Sequence, residues 1–188
     1  MAPRRTRGPR FRLHRAAIQA ERWIPRRLHW WLARRVFADV AAGTCVLLFD
    51  DALRVLLVSS TYGAGWSTPG GFVGRGETAA AAARRELGEE LGVHPALVEV
   101  AGSVRADRPV VDVVFCGRLP TGGELRPDHL EIRSCQWFAL DGELPRWDPE
   151  VPAALATLRR CLGADGLAAV LTEEEQDRLR VLLVPDGR

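Results

Sequence analysis

Three glutamates, Glu86, Glu89 and Glu90, fall within five residues of the stretch "ARRELGEELG". On a helix Glu86 and Glu90 stand one turn apart and Glu86 and Glu89 three residues apart, so the carboxylates share one side. Like charges at these spacings destabilise a helix by about a few tenths of a kcal/mol per pair, and by more where water is partly excluded. A divalent cation reverses the sign of that interaction. Mg²⁺ takes hard oxygen ligands, keeps several waters and completes its sphere with substrate phosphate. Arg85, next to the acids, can orient a carboxylate by a bidentate bond. Gly70 and Gly71 lack a Cβ and let backbone approach a cation closely. A solvated acidic helix face with Arg partners has the same spacing, so the glutamates alone leave both readings open.

The element that must carry them is a helix over 78–91. It is alanine-rich, built of strong helix formers and stopped by Gly92. Ala80, Ala83, Leu87 and Leu91 form its predicted core stripe, with the three glutamates on an arc beside it. Upstream, "GTCVLLFD" and "LRVLLVSS" read as a hairpin turning at Asp50-Asp51-Ala52. "TYGAGWSTPGG" reads as loop. Downstream, "LVEVAGSV", "PVVDVVFCGRL" and "IRSCQWFAL" read as strands, followed by a helix near 153–163. A last helix begins after Thr172, with Glu175 three residues on in capping-box spacing. Short links between strands and helices place the fold in the α/β or α+β class, with helices covering a sheet.

From Gly71 to Val93 the sequence resembles the signature box of the Nudix hydrolases, G-x5-E-x7-R-E-U-x-E-E-x-G-U with U aliphatic. It is filled by Gly71, Glu77, Arg85, Glu86, Leu87, Glu89, Glu90, Gly92 and Val93 without a departure. "GWSTPGG" before it and "EIRSCQWFALDGELP" after it are similar to the family's usual surroundings, so the resemblance covers about 38–160. It implies a Nudix-like α/β/α sandwich with a mixed sheet. The implied activity is hydrolysis of the diphosphate linkage in a nucleoside diphosphate joined to another moiety, with ADP-ribose, a nucleotide sugar or a nucleoside triphosphate as candidate substrates. It implies Mg²⁺ or Mn²⁺ on Glu86, Glu89, Glu90 and the Gly70 carbonyl, with Arg85 and Glu77 as the orienting pair. The general base is then either a box glutamate or one from a later loop, and Glu131 lies in the right region. A nucleotide-sensing module without turnover is the alternative, but its usual sign is an eroded box.

Selection of the group beyond the diphosphate falls to other loops. Trp66, with Gly70 and Gly71, is a candidate for substrate binding. Tyr62, Phe72 and Trp137 are further aromatic candidates for base stacking, each equally compatible with a core position. Pro109, sixteen residues past the box, stands where some ADP-ribose-hydrolysing members carry proline, and a proline opening a strand has a structural reason too.

The rest of the composition sets bounds. Apolar residues form 47% of 188, enough for a sizeable core. All 26 basic residues are Arg. Residues 1–37 hold 11 of them against one acid, Glu21, a net of +10, and the remainder nets −8. The chain therefore divides into a basic Arg/Trp-rich arm (1–37), a hydrolase domain (38–163) and a C-terminal helical extension (164–188). An acidic domain is a poor general binder of nucleic acid, so the expected partner is a small nucleotide. The first ten residues read as disordered. Residues 11–37 read as helical with Trp23, Trp30 and Trp31, suited either to a membrane surface or to packing on the domain; a homodimer is left open. Cys45, Cys116, Cys135 and Cys161 have no zinc spacing and read as free thiols of a reducing cytoplasm. His14, His29, His94 and His129 have no ligand spacing.

Overall fold

The computed structural model describes residues 41–63, 65–104, 110–120, 122–142 and 145–183. The basic arm and Pro109 lie outside the described residues.

Two runs of three strands are separated by one helix and followed by further helices. β1 (Ala41–Phe49) and β2 (Val55–Ser60) form the hairpin. Its turn is organised by Asp50, fully buried, whose carboxylate accepts the Ala52 and Arg54 N–H groups at 3.0 and 2.9 Å and pairs with the Arg54 guanidinium. β3 (Trp66–Ser67) is a two-residue strand inside the segment read as loop. Helix α1 (Ala79–Glu90) follows, then β4 (Leu97–Val104), β5 (Val110–Arg118) and β6 (Ile132–Phe138). Helix α2 spans Glu150–Cys161, a 3₁₀ turn covers Asp165–Ala169, and α3 spans Glu173–Leu182. The second helix begins three residues earlier than its sequence pattern indicates. Pro152 falls in its first turn, where a missing N–H breaks no intrahelical bond.

The six strands form one mixed sheet. β1 and β5 run parallel from Ala41↔Val110 to Phe49↔Arg118, β4 closes one side against β5, and β2 carries β3 and β6, both antiparallel. The segment 69–73 lies along β1 opposite β5. Val46 and Thr44 N–H groups reach the Pro69 and Gly71 carbonyls at 2.9 and 2.8 Å, and Val73 N–H reaches the Ala42 carbonyl at 2.9 Å. The box entry is thereby held against a central strand.

Side chains on the two faces of β1 enter different cores, as the period of two requires. Val46 and Leu48, with Leu56, Phe115 and Ile132, meet Ala83, Leu87 and Leu91 of α1. Cys45, Leu47 and Phe49, with Val55, Leu57 and Val114, meet Val151, Ala154, Leu155 and Leu158 of α2. Leu167, Leu171 and Leu179 from the C-terminal extension join this second cluster, so the extension completes a core shared with the sheet. Its last helix carries the full capping box between Thr172 and Glu175. Cys45 and Cys116 are buried and Cys135 and Cys161 half-buried, none of the four in a disulfide; burial pushes the Cys116 thiol up to about 12.

Candidate active site

Helix α1 is fixed at both ends. Thr78 caps it, its Oγ1 accepting the Ala81 N–H at 3.2 Å, and Gly92 beyond it takes φ +68°. The core stripe is Ala82, Ala83 and Leu87, continued by Leu91. Ala80, expected on the stripe, is half-buried against the same core, and Glu90 is buried as well at 6% exposure.

The three glutamates therefore occupy three environments on one turn. Glu89 is the most exposed, its side chain 54% accessible, and Glu86 is 15% accessible. Arg85 connects them, Nη1 donating to Glu86 Oε1 at 2.7 Å and Glu89 Oε2 at 3.2 Å. The same guanidinium grips Glu77, Nε to Oε1 at 2.9 Å and Nη2 to Oε2 at 3.1 Å, and also donates to the Phe72 carbonyl at 3.1 Å. Glu77 in turn accepts the Gly74 N–H at 2.9 Å. The Arg85 bond and the Gly74 bond hold the Glu77 carboxyl below its ordinary value. Arg85, bound at two points to Glu77, thus ties the box loop to the helix.

Glu90 turns the other way. Its Oε2 accepts the Gly70 N–H at 3.0 Å. Burial drives its carboxyl well above the ordinary range; the Glu86, Glu131 and Glu150 carboxylates push the same way, and the Gly70 bond opposes them. Burial raises Glu86 as well, against the pull of Arg85. Glu131 is placed by its backbone. Its N–H meets the Asp128 carbonyl at 3.0 Å and its carbonyl accepts the Thr61 N–H at 2.8 Å, while Asp128 N–H binds the Glu90 carbonyl at 2.8 Å. The loop carrying Glu131 is therefore tied to the last residue of α1, and the structure brings Glu131 towards Glu90.

Two glycines sit where a Cβ would displace a neighbour. A Cβ on Gly71 would lie 2.3 Å from Glu86 Oε1, and one on Gly70, at φ +141°, would lie 2.1 Å from the Thr44 carbonyl. The box loop thus passes directly over the helix carboxylates.

Sequence reasoning missed two residues here. Thr44 Oγ1 donates to the Gly71 carbonyl at 3.2 Å and accepts the Gly71 N–H at 3.3 Å, fixing this glycine from the next strand. A threonine in an apolar strand gives no sequence signal of that role. Glu150 opens α2 and acts on Glu90 from a segment bonded to β3, with Trp66 N–H to the Arg146 carbonyl at 3.0 Å and Asp148 N–H to the Trp66 carbonyl at 2.7 Å. Trp66 itself is half-buried, its ring edge-to-face with Phe138 at 4.9 Å.

Among the described residues, no three His, Cys, Asp or Glu side chains converge closely enough to form a metal-binding group. Glu89 leans to Arg85 on the solvent side and Glu90 leans to Gly70 on the core side. The donor chemistry still fits a hard divalent cation. All the donors are oxygens, three carboxylates and the Gly70 carbonyl, with two of the carboxylates withdrawn from water under the Gly70-Gly71 turn.

The sequence matches the NUDIX domain family over residues 39–158. It is 33% identical over 104 residues to a Bacillus subtilis protein provisionally named 8-oxo-dGTP diphosphatase, covering 55% of this chain and 68% of that protein. It is 35% identical over 101 residues to the NAD-capped RNA hydrolase NudC of Deinococcus radiodurans, covering 50% of this chain and 36% of that one. The fold is similar to the crystal structure of an ADP-ribose pyrophosphatase from Streptococcus suis, with a TM-score of 0.51 and 25% identity over 64% of this chain and 91% of that chain. The chain belongs to the Nudix hydrolase family. This family uses divalent metal ions.

Proposed function

We propose that the chain hydrolyses the diphosphate linkage of a nucleoside diphosphate joined to another moiety, with Mg²⁺ or Mn²⁺. The observation that carries this reading is the burial of Glu90 among three other carboxylates, with Gly70 N–H as its hydrogen-bond donor. A charge so placed is costly unless it is neutralised, paired or bound to a metal, and a cation at this turn meets that need. The substrates that name the three relatives (8-oxo-dGTP, NAD-capped RNA and ADP-ribose) share a nucleoside 5′-diphosphate element, which supports that element as the recognised unit.

In this reading Glu86, Glu89, Glu90 and the Gly70 carbonyl hold the metal, which when bound supplies positive charge against the phosphate oxygens. The chain's own groups do the remainder. A carboxylate, Glu131 or one of the box glutamates, takes the proton of the water that attacks phosphorus. The electron pair of the broken phosphorus–oxygen bond leaves with the bridging oxygen. Arg85 keeps Glu86 and Glu89 in register with Glu77, so the geometry is set before substrate arrives. Thr44 holds Gly71 against β1 through its hydroxyl.

The test is turnover of ADP-ribose, NAD⁺ and 8-oxo-dGTP by the purified full chain in Mg²⁺, run in ¹⁸O-labelled water. The expected result is cleavage within the phosphoanhydride with the label on one phosphate product. Label on a sugar carbon, or binding without turnover of any of the three, would refute the reading.

A further inference from the structure

At the hairpin end of the sheet, the β1–β2 turn, the residues after β6 and the last helix enclose an open groove of about 270 Å³. It stands away from the carboxylates. Thr44, which holds Gly71, and Phe49, which leads into the turn, are five residues apart on β1, roughly 16 Å at the rise of a strand. Leu53 and Leu140 form the floor of the groove, both buried in the core under α2. Helix α3 supplies one wall with Arg178, Val181 and Leu182, and Asp141 stands on the other.

Two features set this groove apart from an ordinary hollow in a surface. Val181 is the most exposed large apolar side chain among the described residues, at 73%. A lone exposed valine is ordinary. This one stands at the edge of an apolar hollow, beside half-buried Leu182, and an apolar patch rimmed by charge is the pattern of a protein–protein contact. The floor is also strained. Leu53 takes φ +58°, a left-handed conformation that leucine rarely adopts. Asp50 holds it there, its carbonyl accepting the Leu53 N–H at 3.0 Å and its carboxylate the N–H groups on either side. Backbone strain maintained by surrounding bonds concentrates where a surface makes functional contacts.

Charge and shape together select the occupant. The patch carries both a knob, Val181, and a hollow that an apolar side chain can enter. It is complementary to itself, as a contact about a twofold axis requires. With the axis along the groove, α3 of a second copy lies over the wall that bears Asp141, and Arg178 of each copy faces Asp141 of the other. With the axis across the groove, Arg178 would face Arg178. Opposite charges favour the first arrangement and like charges oppose the second.

We propose that this groove is a self-association surface, on which a second copy of the chain seats its Val181 against Leu53 and Leu140, with an Arg178–Asp141 pair on each side of the axis.

The test is sedimentation velocity of the full chain over a concentration series, with wild type, Val181→Asp, Arg178→Asp, Asp141→Arg and the double reversal Arg178→Asp with Asp141→Arg. All three positions are exposed, so the variants leave the core intact, and circular dichroism checks that they fold. Wild type is expected to pass from monomer to dimer as concentration rises. Val181→Asp buries a charge in the apolar hollow and is expected to weaken the dimer at least about tenfold. Each single reversal sets like charges opposite one another and is expected to weaken it by roughly the same factor. The double reversal restores opposite charges and is expected to recover the dimer. A wild type that stays monomeric at every soluble concentration would overturn the proposal and leave the groove to another protein or to residues 184–188. A dimer that survives Val181→Asp would overturn it too, by placing the contact on another face or on the basic arm. So would single reversals that weaken the dimer without recovery in the double, because the charges would then not meet across the axis.

Discussion

Replacing Glu90 by Gln tests whether the site is built against the stability of the fold. Gln keeps the length of the side chain and an oxygen that can accept the Gly70 N–H, now 3.0 Å from Glu90 Oε2. What it removes is a charge at 6% exposure that faces Glu86, Glu131 and Glu150. Leaving a charged group buried without full compensation costs about 1–3 kcal/mol or more, and Gln removes most of that. For a chain of this size each kcal/mol moves Tm by roughly 2–4 °C, so in EDTA at neutral pH the variant should melt several degrees above wild type. The sign of the pH dependence follows from the raised carboxyl. Its protonated form is the one the fold favours, so its contribution is fully present below the ordinary carboxylate range and is lost as pH rises through the raised value. The advantage of Glu90→Gln should therefore be small in acid and grow towards neutral pH, while Mg²⁺-dependent turnover falls by orders of magnitude. Calorimetric melting in EDTA across pH, beside turnover in Mg²⁺, measures both. A variant that melts at or below wild type at neutral pH would refute the argument from burial.

Other substitutions should separate supporting from opposing contacts. Glu77→Gln breaks the two-point grip on Arg85 and should lower both Tm and turnover, the opposite stability sign to Glu90→Gln; an unchanged turnover would remove Arg85 and Glu77 from the orienting role. Glu89→Gln, the most exposed of the three, should lower metal affinity and turnover by orders of magnitude with little change in Tm, and near-full turnover at saturating Mg²⁺ would contradict its place as a ligand. Gly71→Ala puts a Cβ 2.3 Å from Glu86 Oε1; we expect at least a tenfold loss of turnover and about 1–3 kcal/mol of stability by overpacking, read by kinetics and denaturant titration. Arg118→Ala removes the bonds from the end of β5 to Glu175 and Asp51 and should cost about 1 kcal/mol with turnover unchanged, because it fastens the last helix and stands outside the carboxylate cluster.

The sequence by itself determined the parts whose physics is local. The box helix, its Thr78 cap and Gly92 stop follow from side-chain preferences along a few residues, as does the Thr172–Glu175 capping box. The five longer strands follow from short β-rich runs bounded by turn residues. The spacing of Glu86, Glu89 and Glu90 put three carboxylates on one turn before any fold was known. Tertiary structure alone decided what each of them experiences. Glu90 is buried because the segment 69–73 lies along β1 and carries Gly70 across the helix, a pairing between residues far apart in the chain. Ala80 is half-buried against the α1-side core as its spacing predicts, and Ala82, off that stripe, is buried too. β3 is too short to announce itself and exists through its pairing with β2 and the contact of Trp66 with the segment before α2. Thr44 and Glu150 belong to a strand and a helix start with no chemical signature of their own. They reach the site through hydrogen bonds and charge between elements, and the sequence does not encode those separations at any one place.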